Sequence, residues 1–244
     1  MPNVLVAILA GFLSAASPAS EEALRLMDAG QERQAFELIE GAATRGDYDA
    51  IDYLAWFYDE GRVVARDHRR AAALYRRAAE GGNRHAQWRL GVMLDTGSGV
   101  AEDPVEALRW ISLAAERGSP LAAASLGVMH ANGRGTPVDY IQSMRWYREA
   151  ARRGSPTGFY GVGVLYENGQ GVDRDPVEAL AWMLVAATLA DERAQAAVEQ
   201  SGLSVDAARA AVERGNAILR EFGLERHQIQ FRNFDAPQRT SVAA

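Results

Sequence analysis

A spacing of 36 residues organises the middle of this chain. Four glycines keep this step: Gly61, Gly97, Gly133 and Gly169. Four aspartates keep it too: Asp67, Asp103, Asp139 and Asp175. A period of this length that survives several copies indicates stacked units, each of which buries its apolar face against its neighbours. The spacing therefore predicts an elongated repeat structure and argues against a closed globule.

Residues 84–119 show what one unit contains. Its first half carries apolar residues on one helical face: Ala86, Leu90, Met93 and Leu94. A Gly-Ser-Gly turn follows, and the second half opens with Asp103 and Pro104, which suit an N-cap and a first helical position. Glu106 is placed to return to the cap. We predict an all-α fold of antiparallel helix pairs, with four full units at 48–83, 84–119, 120–155 and 156–191.

The flanks of the array keep weaker traces of the pattern. Residues 21–47 read as a capping half-repeat, and residues 192–222 read as capping helices that cover the last unit. From residue 223 to 244 the chain is polar and aperiodic, and we expect a disordered tail. Residues 1–20 stand apart as a predicted leader.

The predicted leader consists of an apolar run at 4–13 followed by small residues. The run is too short to cross a bilayer, and the pattern is typical of a cleaved secretory signal, although no basic residue precedes it. We expect a periplasmic or secreted protein without a transmembrane segment in the mature chain. The alternative is a cytoplasmic protein with a frayed N-terminal helix.

Composition narrows the classes of partner and chemistry. The 244 residues carry a net charge of -6, which disfavours nucleic acid because phosphate binding needs a basic surface. All 26 basic residues counted as Lys or Arg are Arg. The chain has no Cys, which excludes disulfides and thiol chemistry.

Motifs that could suggest catalysis have simpler explanations. The carboxylate pairs Asp103/Glu106 and Asp175/Glu178 recur with the module, so capping explains them better than acid–base chemistry. The Gly-x-Gly segments suit turns, the four histidines are scattered without metal-binding spacing, and no nucleophile elbow is present. We predict a protein that is not an enzyme and has no cofactor or metal site.

Two further series recur with the module and predict packing. Trp110, Trp146 and Trp182 follow small residues on one helical face, so we expect them in the core between helices. Gly91, Gly127 and Gly163 lie inside first helices, where glycine costs about 1 kcal/mol relative to Ala. We expect a close helix approach there, against the Ala-Ala pairs of the second helices.

The module frame, Ala-x3-Leu-Gly at its start and Gly-x-Gly-Val-x2-Asp-x3-Ala-x2-Trp-x3-Ala-Ala-x2-Gly later, resembles the Sel1-like repeat, a relative of the tetratricopeptide repeat. The resemblance implies a right-handed α-solenoid whose inner surface is lined by first helices, and a scaffold or adaptor role. The first module departs from the frame at Val63, where later modules have glycine. The absence of Cys separates the chain from the cysteine-rich members that were linked to β-lactam binding.

Positions that vary within the constant frame are the candidates for partner recognition. On the first helices they give an aromatic and arginine-containing set: Asp52, Trp56, Trp88, Arg89 and Tyr160. We predict that the chain binds a protein or peptide on its concave face through these residues. The alternatives are an envelope-associated enzyme or binder of β-lactam or peptidoglycan fragments, and a purely structural spacer.

Overall fold

The computed structural model describes residues 17–230, and within that range the chain forms twelve α-helices and one short 3-10 helix, with no β-strand. The helices belong to two compact units, divided between residues 137 and 138. In each unit, most helices pack against the next helix along the chain, but the last α-helix of the second unit packs mainly against the second helix before it. The first unit contains α1 (Pro18–Asp28), α2 (Glu32–Thr44), α3 (Tyr48–Glu60), α4 (His68–Glu80), α5 (Arg84–Thr96), α6 (Pro104–Glu116) and α7 (Pro120–Asn132). The second contains α8 (Tyr140–Arg152), α9 (Pro156–Asn168), α10 (Pro176–Thr188), α11 (Glu192–Glu199), α12 (Val205–Glu221) and the 3-10 helix η1 (Glu225–His227).

The turn inside each module is fixed by backbone hydrogen bonds. First helices end at a glycine with φ between 65° and 70°. In the second module, the N–H of Asp103 then donates to the carbonyl of Leu94, 2.8 Å away. The Asp103 carboxylate accepts from the N–H groups of Val105 and Glu106, at 3.1 and 2.9 Å, and so caps α6 as predicted.

The predicted capping role of Glu106 is wrong. The N–H of Asp103 is already bonded to Leu94, so it is not available to a returning carboxylate. Glu106 instead accepts from the indole N–H of Trp110 at 3.1 Å and from Arg76 at 2.6 Å. Hydrogen bonds from Arg76 and Trp110 lower the pKa of Glu106. This carboxylate therefore joins α4 to α6 rather than closing a helix end.

The close approach at Gly91 is real, but its predicted partner is wrong. A Cβ at Gly91 would lie 2.4 Å from Ile111 Cγ1 and 3.1 Å from the carbonyl oxygen of Ala107. The Ala-Ala pair at the end of α6 is not among these nearest atoms. The absence of a side chain at Gly91 therefore lets α5 lie close to Ile111 and to the backbone of Ala107 on α6.

The tryptophans of the second helices are not equally buried. Trp182 is completely buried, but Trp110 and Trp146 remain partly exposed, so the prediction of a core position is wrong for those two. In the second unit, Phe222 follows α12 and lies 5.7 Å from the Trp182 ring, centroid to centroid, and 5.1 Å from Phe159. The C-terminal cap therefore supplies the cover that completes this aromatic cluster.

Helix α1 begins earlier than the sequence suggested. Ser17 is its N-cap, Pro18 is its first residue, and Ser20 is completely buried. The predicted leader at 1–20 therefore overlaps the folded part at residues 18–20. The rest of that prediction, residues 1–16, lies outside the described residues.

The predicted disordered tail from residue 223 is wrong for its first part. Helix η1 follows Gly223, and Ile229 is only 8% exposed. The side chain of Asn216 holds Ile229 on both sides of its backbone: it donates to the carbonyl at 3.0 Å and accepts from the N–H at 2.9 Å. Residues 231–244, where the tail prediction continues, lie outside the described residues.

Candidate functional site

Three of the five predicted partner-binding residues lie together in the first unit, on α3 and α5. Asp52 on α3 is 7% exposed, and its carboxylate oxygens lie 2.8 and 2.9 Å from Nδ1 of His85 on α5. Because an ionised carboxylate only accepts, Nδ1 of His85 is the donor in this hydrogen bond. The pair joins the first helices of two consecutive modules.

Trp88 lies next to this pair and is held from several sides. Its ring centroid is 5.7 Å from that of His85 and 5.6 Å from the guanidinium carbon of Arg89. Its indole N–H donates to Oγ of Ser125 on α7, 3.1 Å away. The side chain is nevertheless partly exposed. These contacts therefore fix the orientation of a partly exposed aromatic ring.

Arg89 forms an ion pair with Asp59 at the end of α3. Asp59 also lies 2.9 Å from Nδ1 of His68, and its side chain is only 6% exposed. Burial lowers the pKa of Arg89, but the neighbouring Tyr75 hydroxyl and Asp59 carboxylate outweigh burial and hold it above its ordinary value. Burial also raises the pKa of the Tyr75 hydroxyl, although Arg89 opposes this. The result is a charged pair fixed beside Trp88.

A hollow of about 320 Å³ opens next to Arg89, where α3 and α5 end. Its walls combine aliphatic, hydroxyl and charged side chains: Asp59, Glu60, Arg66, His68, Arg89, Val92, Met93, Thr96 and Ser98. This volume is at the small end of the roughly 300–1,000 Å³ typical of ligand pockets. The hollow suits a side chain of a partner better than a cofactor.

The other two predicted residues have different surroundings. Trp56 is 8% exposed, packs edge-on against Phe57 at 5.1 Å, and lies 5.8 Å from the guanidinium carbon of Arg62. Trp56 therefore belongs to the buried core that packs around α3. Tyr160 belongs to the second unit, where the guanidinium carbon of Arg193 lies 4.7 Å from its ring centroid. Partner binding by the five residues stays a prediction.

Sequence reasoning missed three residues that build this site: His85, Ser125 and Asp59. A usable signal exists, because the bonded pairs lie close to one module apart. Asp52 and His85 are separated by 33 residues, and Trp88 and Ser125 by 37. Polar pairs near the repeat period are candidates for contacts between consecutive first helices.

We find no cluster of three or more His, Asp or Glu side chains arranged for a metal ion in residues 17–230. Over the same range, no helix has both the length and the apolar character needed to cross a bilayer.

The family model described as Sel1 repeat matches four consecutive segments of the chain, at residues 49–83, 84–119, 120–155 and 160–191. These segments fall within the array predicted from the 36-residue spacing. A search among curated proteins found no match.

Solved structures with the same fold include a Sel1 repeat protein from Oxalobacter formigenes, with 26% identity and a TM-score of 0.68 over 88% of this chain and 98% of that one. The protective antigen c5321 of uropathogenic Escherichia coli has 29% identity and a TM-score of 0.68 over 84% of this chain, which spans only 47% of c5321. An immunity protein of Pseudomonas aeruginosa, PA5088, shares the fold at 16% identity and a TM-score of 0.57, over 91% of this chain and 88% of its own. These likenesses confirm the predicted all-α solenoid.

Proposed function

Because the chain belongs to the Sel1 repeat family, we propose that it is a non-catalytic scaffold that binds a protein or peptide partner through the first helices of its first unit. The fold itself is a repeat scaffold, whose side-by-side helices offer an extended surface. The candidate surface is the Trp88 face, defined by Trp88, Arg89 and Val92 on α5 and by Leu121, Ser125 and Val128 on α7.

The observation that carries this proposal is the fixed geometry of a partly exposed Trp88. Its ring is oriented by His85, Arg89 and Ser125, so little side-chain entropy remains to be lost on binding. Tryptophan and arginine are the residue types most often found at the energetic centre of protein interfaces. A preorganised tryptophan beside an arginine is therefore suited to anchor a partner.

The surroundings of Trp88 extend this apolar surface. Val92 and Leu121 are partly exposed, and Val128 is 40% exposed. Val92 lies one helical turn beyond Trp88, and Val128 lies one turn beyond Ser125, so the aliphatic groups continue along both helices. A short apolar segment of a partner would cover them together.

Several charged groups near the Trp88 face are paired within the chain. Asp59 is bound by Arg89 and His68, and Arg134 lies 3.0 Å from Asp95. A partner therefore gains little from adding a charge of either sign. We propose that recognition rests on apolar contact, so affinity changes little between about 0.05 and 0.5 M salt, where screening lengths differ several-fold.

The test compares two partly exposed tryptophans. Trp88→Ala removes the proposed anchor, whereas Trp110→Ala removes a tryptophan on α6 whose indole N–H also has one acceptor, Glu106. Each purified variant is immobilised, and proteins retained from an extract of the native cells are quantified. We expect Trp88→Ala to reduce partner recovery at least about tenfold, in line with an interface hot spot, and Trp110→Ala to retain it. Equal recovery by both variants, with helicity intact, would refute the proposed surface.

We also propose that the protein is exported to the periplasm or secreted. The support is the apolar run at 4–13 and the small residues that follow it, which suit a leader. Fractionation of native cells, with the chain detected by antibody, tests this. Recovery with cytoplasmic markers alone would contradict it.

A further inference from the structure

We propose that Ser17 is the N-terminal residue of the mature protein and that its α-ammonium group forms an ion pair with Asp49. This inference rests on the proposed export, because it identifies the bond at which the leader is removed.

The Asp49 carboxylate accepts a hydrogen bond on each of its two oxygens. Oδ2 accepts from the backbone N–H of Ser17 at 3.1 Å, and Oδ1 accepts from Nδ2 of Asn83 at 2.8 Å. Asn83 in turn caps α5 through the N–H of Ala86, at 2.8 Å. One carboxylate therefore joins the beginnings of α1, α3 and α5, and the nitrogen of Ser17 is one of its two donors.

Burial limits where the chain can be cut without damage to the fold. Ser17 caps α1, since its Oγ accepts from the N–H of Ser20 at 3.4 Å. Ser20 and Ala23 are completely buried. A cut beyond Ser17 would remove this cap, whereas a cut just before it keeps the whole of α1.

The sequence before Ser17 fits this position. Ser14, Ala15 and Ala16 are small, and small residues are what leader peptidases require just before the cleaved bond. Hydrolysis breaks the Ala16–Ser17 amide. Oxygen from water goes to the carbonyl carbon of Ala16, which becomes a carboxylate, and the nitrogen of Ser17 takes up protons to become an ammonium.

The ammonium group formed at Ser17 lies beside the Asp49 carboxylate. A cation at the start of a helix is disfavoured by the helix dipole. The Asp49 carboxylate at 3.1 Å from this nitrogen offsets that effect, since charge-assisted hydrogen bonds are stronger than neutral ones. Cleavage thus converts an amide hydrogen bond into an ion pair that fastens α1 to α3.

The first experiment is N-terminal sequencing and intact-mass measurement of the protein recovered from native cells. The proposal predicts a chain that begins at Ser17. A chain that begins at Ser20 or Glu21, or one that retains the apolar run, would overturn it. Neither result bears on partner recovery by the Trp88→Ala variant, so the two proposals can fail separately.

The second experiment uses the absence of lysine from the sequence. The α-amino group is then the only primary aliphatic amine that an acetylating reagent can modify. Acetylation should lower the melting temperature of the mature wild-type protein by about 1–4 °C, the shift expected for a modest ion pair in a chain of this size. In the Asp49→Asn variant, which keeps an acceptor for Asn83, acetylation should have no effect. Equal shifts in both proteins, or none in the wild type, would overturn the ion pair. If the variant does not fold, the acetylated and unmodified wild-type proteins are compared in about 1 M salt. Screening of the ion pair should then abolish the difference between their melting temperatures.

Discussion

The indole N–H of Trp88 donates to Oγ of Ser125, 3.1 Å away and on the first helix of the next module. This bond fixes the ring between two helices while leaving part of its face exposed. The proposed binding role depends on that arrangement, because an anchor that is already oriented binds at a lower entropic cost.

We expect the bond to be measurable by a double-mutant cycle. Ser125→Ala and Trp88→Phe should each destabilise the fold, and their coupling should be about 0.5–1.5 kcal/mol, the usual net worth of a hydrogen bond. Urea unfolding of the two single variants and the double variant gives the coupling. Strict additivity would show that the bond contributes nothing.

The ion pair beside Trp88 should contribute more than pairs in solvent. Asp59→Ala leaves Arg89 partly buried without its carboxylate, and we expect a loss of about 2–3 kcal/mol, below the range for a fully buried pair because the Arg89 side chain is 25% exposed. The control is Glu22→Ala, which removes the i,i+3 pair with Arg25, whose partners are 50% and 72% exposed. That variant should lose at most about 0.5 kcal/mol. A similar loss in both would contradict the structural role of Asp59.

Two glycines with similar φ allow the energetic cost of backbone strain to be distinguished from the cost of a steric clash. A Cβ at Gly99, with φ +71°, would lie 2.1 Å from the carbonyl oxygen of His68, whereas a Cβ at Gly30, with φ +75°, meets nothing within 4 Å. Gly30→Ala should cost about 1–2 kcal/mol, the price of the left-handed backbone alone. Gly99→Ala should cost clearly more, because α4 must move. Equal unfolding free energies would place Gly99 away from α4.

Val63 occupies the position in the first module that Gly99 occupies in the second. Its φ is +64°, a strained conformation for a β-branched residue. We expect Val63→Gly to stabilise the chain by about 0.5–1 kcal/mol, since relief of strain exceeds the entropy that glycine adds to the unfolded chain. Val64→Gly, at the neighbouring valine, should destabilise instead. A destabilising Val63→Gly would mean that the Val63 side chain makes contacts that outweigh its strain.

Burial raises the pKa of Tyr147 to about 12, above the ordinary value of 10. The folded state therefore holds this proton more tightly than the unfolded state. The associated stability is fully present below pH 10 and is lost between about pH 10 and pH 12, on the order of 2 kcal/mol. Tyr147→Phe should flatten the fall in unfolding free energy over this range. A pH profile of Tyr147→Phe identical to that of the wild-type protein would contradict the burial effect.

The sequence predicted the parts of the fold that depend on local rules. The Asp103–Pro104 start of α6 and the glycine end of α5 follow from capping and turn preferences, and both are as expected. The same local reasoning failed at Glu106, because its usual partner, the N–H of Asp103, is taken by Leu94. That competition arises only when the two helices of a module have packed.

The candidate site was less accessible to sequence reasoning. Trp88 and Arg89 vary between modules, which marked them, but the same criterion marked Trp56, which is buried. Variation alone does not separate a surface residue from a core residue that fills the end of an array. The roles of His85 and Ser125 depend on pairing between consecutive modules, which a single helix does not reveal.

Site-specific photo-crosslinking in native cells tests the central proposal most directly. A photoreactive residue placed at Val128, 40% exposed on the Trp88 face, is compared with one at Val105, 53% exposed on α6. We expect a discrete protein adduct from position 128, its loss when Trp88→Ala is added, and no such adduct from position 105. The same adduct from both positions, or one from position 128 that persists with Trp88→Ala, would contradict the account.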